Sequence, residues 1–134
     1  MSVIFSSKGI YHRIGYENEA DLERSILVVQ KELFGVRRIY LPIKKKIGLK
    51  GGPQSIPDGY LIDLASKNPR LYVVENELAT HDLLRHIAVQ ILQFSLSFEA
   101  EGRGVRSILF NALNEQPEYR KKCEAYAASR QFRN

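Results

Sequence analysis

The chain holds a single cysteine, Cys123, in 134 residues. That excludes an internal disulfide and any zinc site built on several cysteines. Long apolar runs are also missing. No stretch approaches the roughly 20 apolar residues a membrane-spanning helix needs, and "MSVIFSSKGIYHRIG" has no secretory apolar segment. A soluble protein of the cytoplasm or another intracellular compartment is expected, with no membrane partner. No GxxxxGK[ST] loop precedes a helix, since "GLKGG" lies between expected strands. His12, His81 and His86 lack metalloprotease spacing, and no nucleophilic serine elbow is present. Repeats and low-complexity segments are absent too. Cys123, between Lys122 and Glu124, reads as a core residue rather than a nucleophile.

What is there suffices for one core. Hydrophobic residues make up 44% of the chain and aromatics 10%, which fits one domain over residues 1–134. Residues 1–16 read as a short strand or an arm. The formal charge of +5 suits a polyanionic partner without identifying one.

In residues 17–34, Leu22, Ile26, Val29 and Leu33 draw one apolar stripe, so the spacing predicts a helix ended by Gly35. "VRRIYLPIKKKIG" then reads as a strand that Pro42 sets near an edge. The turn "LKGGPQS" leads to a second strand, "IPDGYLIDL". After "SKNPR" a third, "LYVVENEL", is apolar enough to lie centrally in a sheet. Thr80 can cap a long helix with Leu84, Ile87, Ile91, Phe94 and Phe98 as its core stripe. Gly102 and Gly104 are expected to end it, "VRSILFNAL" to return as a strand, and Pro117 to open a last helix through residue 132. The fold expected is α/β, a central mixed four-stranded sheet flanked by helices in the order α-β-β-β-α-β-α.

Three acids interrupt the apolar strands. Alternation sets Glu75 and Glu77 on one face, about 7 Å apart. The short turn between strands lets Asp58 stand opposite one of them, within about 5 Å. Carboxylates so close repel and raise one another's pKa unless a proton or a cation intervenes. A hard divalent ion such as Mg2+ takes oxygen ligands of this kind. The plainer alternative is three surface acids, yet runs such as "YVVENEL" read as buried, and burying unpaired carboxylates costs several kcal/mol each.

"IPDGYLID", followed 17 positions after Asp58 by "VVENEL", resembles the spaced motif of the PD-(D/E)XK nuclease superfamily, whose fold is restriction-endonuclease-like. The likeness spans roughly residues 17–113 and includes the expected element order. It implies that Asp58 and Glu75 ligate Mg2+ or Mn2+. It also implies a lysine at the third motif position, where this chain has Glu77. A glutamate there could serve as base for the attacking water or bind a second ion, or it could mark a domain that holds DNA without cutting it. The family's acid from the first helix would be Glu23, with Glu19 one turn earlier. Its polar residue from the second helix would be Gln90, part of a polar stripe with His86, Gln93 and Ser97. His81, just beyond the acids, could touch a phosphate or replace the missing lysine's proton function.

Arg37, Arg38, Lys44, Lys45, Lys46 and Lys50 lie close together with no acid among them. Such a run neutralises phosphates without reading bases, and it also discourages edge-to-edge strand pairing. A lysine of "IKKKIG" could reach into the acid site and restore the missing positive charge. Arg103 and Arg106 are further phosphate candidates. The expectation is a metal-dependent DNA phosphodiesterase with Asp58, Glu75, Glu77, Glu23 and Gln90 at its catalytic centre. The alternatives are a non-catalytic nuclease-like module that binds DNA or protein, and a small interaction domain with surface-paired acids. A homodimer, partner proteins and further domains of a longer protein stay open.

Overall fold

The computed structural model describes residues 3–130. In chain order the elements are β1 (Val3–Ser6), β2 (Gly9–His12), α1 (Glu19–Phe34), β3 (Arg38–Leu41), β4 (Gly59–Asp63), β5 (Arg70–Val74), α2 (Leu83–Glu115) and α3 (Pro117–Ser129). The class is α/β, with two small antiparallel sheets. Within the expected N-terminal arm or strand, residues 3–12 form a hairpin: β1 pairs with β2, and every residue of both strands is exposed. Phe132, in the expected last helix, lies outside the described residues.

The main sheet has three strands in the order β3-β4-β5, all antiparallel. The four-stranded mixed sheet of the sequence reading is corrected here, because residues 105–113 are helical and belong to α2. Val105, Ile108 and Leu109 pack together towards Ile47 and Tyr60, at the i, i+3, i+4 spacing of one helix face. The expected break survives as a kink: Glu101 leaves helical geometry (φ −142°, ψ 46°), and the helix resumes through Gly102 and Gly104. The central strand is β4, the one opening after Asp58. β5 takes an edge instead, with Leu71 and Tyr72 exposed.

The helices cover opposite faces of this sheet. Tyr40 stacks against Phe34 of α1, ring centroids 5.2 Å apart. Tyr60 is paired with Leu41, the residue after Tyr40, so it points the other way, into a core with Ile47, Val105, Phe94 and Val73. Asn18 caps α1 by accepting from the Asp21 N–H. Asp82 caps α2, accepting from the Arg85 N–H, in place of the expected Thr80. The face α2 turns inward matches the expected stripe only in part. Ser97 is fully buried and Phe94 packs on the core, whereas Leu84 and Ile91 are exposed. In α1 likewise Ile26 is buried, but Val29 and Leu33 are exposed.

Residues 42–58 form a long connection from β3 to β4, and it determines where Lys44 and Asp58 sit. Ile47 plugs into the core, bridging Ser55 through reciprocal backbone hydrogen bonds of 2.8 and 3.0 Å. The Gly48 N–H donates to Glu101 Oε2 at 2.9 Å, tying the connection to the kink of α2. Gly48 has φ +102°, and a Cβ there would stand 2.2 Å from the Pro53 carbonyl oxygen, so only glycine fits.

Candidate active site

β4 and β5 bring two acids face to face. Gly59 pairs with Val74, and continuing that register by one residue sets Asp58 opposite Glu75. Gly59 lets the Tyr40 ring lie close over the start of the strand, since a Cβ there would sit 2.8 Å from Tyr40 Cε2. The Asn76 N–H donates to Asp58 Oδ2 at 2.8 Å, fixing one carboxylate oxygen. The other faces Lys44, whose Nζ is 3.2 Å away.

Lys44 joins the two sides of the site. The same ammonium is 2.5 Å from Glu23 Oε1 on α1, so one cation serves two carboxylates. Its hydrogen bond to Glu23, foremost, raises the Lys44 pKa and keeps the side chain charged. Glu75 is less well compensated. Burial, then the charge and hydrogen bond of Asp58, push it up to about 7, while Lys44 pulls the other way. Glu75 thus titrates near neutrality.

Two buried polar atoms with no hydrogen-bond partner lie near Glu75. Gln90 Oε1 is one, and Gln90 lines a cleft of about 200 Å³ with Glu75, Val73, Ile91, Phe94 and Ser95. The Tyr60 hydroxyl is the other, whereas the Asn76 side chain turns to the Tyr40 hydroxyl. Burial raises the Tyr60 pKa, and the nearby Glu75 charge adds to the effect. Such atoms are costly unless something polar meets them.

Glu77 does not join this group. β5 ends at Val74, and the Glu77 carboxylate turns to the start of α2, hydrogen-bonding His81 Nδ1 with Oε1 and lying 3.6 Å from His86 Nδ1 with Oε2. His81, foremost, lowers the Glu77 pKa. Glu19 approaches the same cluster, with its Oε1 3.5 Å from His81 Nδ1.

The basic residues separate. Lys45, Lys46 and Lys50 are exposed on the 42–58 connection, and Arg37 is exposed before β3. Arg38 serves the fold, donating to the Phe34 carbonyl at 2.9 Å and pairing with Asp63 at 3.4 Å. Arg103 and Arg106 are exposed on α2 beyond its kink, while Gln93 offers its carbonyl to the Ser97 hydroxyl. Cys123 is half-buried on α3, and burial raises its thiol pKa. Tyr40, Tyr60 and Asn76 were not singled out from sequence. Their only signal there is position: two tyrosines inside apolar strands, and an asparagine between two acids.

No family model, no curated protein and no solved structure matches the chain. Its chemistry must speak through the site alone. Among the described residues no helix is long and apolar enough to cross a membrane.

Proposed function

We propose that the chain is a divalent-metal-dependent DNA phosphodiesterase of the PD-(D/E)XK type. The observation that carries this reading is the Asp58–Glu75 pair: two carboxylates held opposite each other, short of positive charge, with Glu75 pushed to about 7. Glu23 and Lys44 on one side and Gln90 on the other complete a set of groups suited to a phosphate and an ion.

The donor set fits the ion. Asp58 and Glu75 offer oxygen alone, as Mg2+ and Mn2+ prefer, and the unpartnered Gln90 Oε1 beside them is a further oxygen. Asp58 and Glu75 would hold the ion, which when bound supplies Lewis acidity towards phosphate and water. Glu75 sheds its proton near neutral pH and so becomes a ligand without a large penalty. Asp58 keeps one oxygen on the Asn76 N–H, which orients the other. Lys44 presents a charged ammonium at the same point, in the role the family motif assigns to the residue at position 77. Lys45, Lys46 and Lys50 continue the positive charge along the same connection, towards a nucleic-acid backbone.

The rival is a nuclease-like module that binds without cutting. The engagement of Glu77 by His81 favours it, since that carboxylate is not free to orient water at Asp58 and Glu75. Labelled linear, branched and single-stranded DNA incubated with Mg2+, Mn2+ or EDTA separates the two readings. Cleavage should need metal, disappear in Asp58→Ala and Glu75→Ala, and fall roughly 100-fold or more in Lys44→Ala. DNA binding with no cleavage in any metal would establish the module. We further propose a second copy of the chain as a partner, on the surface evidence given in the Discussion.

A further inference from the structure

We propose that Glu77, His81 and His86, completed by Glu19, form a binding site for a divalent transition ion of the zinc class, separate from the Asp58–Glu75 site. Potential ligand atoms of Glu77, His81 and His86 all lie within 4.8 Å of one another. Two spacings are already near those a bound ion needs: His86 Nδ1 is 3.6 Å from Glu77 Oε2, and His81 Nδ1 is 3.5 Å from Glu19 Oε1. An ion with four ligands at about 2.1 Å in a tetrahedron separates them by about 3.4 Å. The direct Glu77–His81 hydrogen bond must open, as must the Glu77–Glu19 contact.

The donors select the metal. Two imidazole nitrogens and two carboxylates suit Zn2+, Co2+ or Ni2+ far better than Mg2+, which takes oxygen and keeps much of its water. The site is anchored at one ligand and reachable at the others: the Glu77 side chain is only 6% exposed, those of His81 and His86 39% and 54%. The four residues come from the first residue of α1, the segment after β5, the turn before α2 and the first turns of α2. An ion there would tie the start of α1 and the start of α2 to the segment after β5 that carries Glu75. It would also give a physical reason for a glutamate at position 77, as a ligand rather than an orphan of the motif.

The test needs no nucleic acid and does not depend on the phosphodiesterase reading. Metal-stripped protein is titrated with Zn2+ alone in a calorimeter, with Mg2+ in large excess. One Zn2+ per chain is expected, retained in Asp58→Asn and weakened roughly 100-fold in His81→Ala and in His86→Ala. Zn2+ should also raise the melting temperature of the wild type by roughly 5 °C and leave a His81→Ala/His86→Ala double variant unmoved. Since these variants must fold, a second measurement uses the wild type only: Co2+ should shift the ring proton resonances of His81 and His86 and leave those of His12 in place. Zn2+ affinity equal in the wild type and the double variant, or Co2+ perturbing all three histidines alike, overturns the proposal. So does Zn2+ binding that Asp58→Asn abolishes.

Discussion

Glu75 makes stability depend on pH. Its folded-state pKa of about 7 stands above the 4.5 of the unfolded chain, so the folded state holds the proton more tightly. The associated stability is therefore complete below about pH 4.5 and is lost as pH rises towards 7. Because Glu75 is partly solvated, screening reduces the effect to roughly 1–2 kcal/mol. Urea unfolding at pH 5 and pH 8 should reveal that loss in the wild type but not in Glu75→Gln, which should be the more stable protein at pH 8. Millimolar Mg2+ at pH 8 should recover stability in the wild type alone. Equal pH profiles in both proteins would show that Glu75 is not the group responsible. Glu77 has the opposite sign: its lowered pKa contributes stability above the unfolded value and loses it as pH falls.

At the scale of elements, the 42–58 connection is the part whose failure should be most visible. Gly48→Ala forces a side chain into a positive-φ position against the Pro53 carbonyl, and should cost about 2–3 kcal/mol in chemical denaturation. Glu101→Gln keeps an acceptor for the Gly48 N–H and should cost less than 1 kcal/mol, whereas Glu101→Leu strands that N–H and should cost about 1–3 kcal/mol. The connection also marks the limit of what periodicity conveys. The Asp58 and Glu75 strands are readable because alternation and a short turn determine which residues meet. That a lysine of "IKKKIG" reaches the acids was legible, but not that it is Lys44, which arrives along an irregular path fixed by Ile47 and Gly48 that leaves no repeat in the sequence. Glu77 misleads for a related reason, since the strand that would keep it beside Glu75 stops at Val74 and a histidine takes its carboxylate. Residues 105–113 misled because the two glycines before them read as a helix end, although Val105, Ile108 and Leu109 recur at helical spacing; the glycines follow a kink and do not end the helix. Apolar residues around much of α2 blurred its inward face, which includes Phe94 of the expected stripe and Ser97 of the polar one but not Leu84 or Ile91.

For the molecule as a whole, surface area raises its own question. The chain exposes 10131 Å², against about 7,200 Å² for a compact monomer of this length. The surplus exceeds the roughly 800 Å² that each partner gives to a standard interface. Much of it is apolar: Leu84, Ile91 and Leu92 of α2 are 83%, 59% and 61% exposed, and Phe5 of the hairpin is 76% exposed. A second copy on the α2 face is the expected cover. Sedimentation at tens of micromolar should find a dimer, and Leu92→Lys should weaken it at least about tenfold. A monomer at every concentration would sink the dimer while leaving the active-site reading intact.

The backbone step from Glu75 to Glu77 serves two different chemistries, a carboxylate pair on one side and a histidine cluster on the other, with the Asn76 N–H holding Asp58 between them. Substitutions in this stretch can be graded, each weakening one cluster and sparing its neighbour. A change in length cannot. Gaining or losing one residue between Val74 and Glu75 would take Glu75 out of register with Asp58 and shift Glu77 from its histidines at once, so the spacing of this segment is expected to be far less tolerant than its composition.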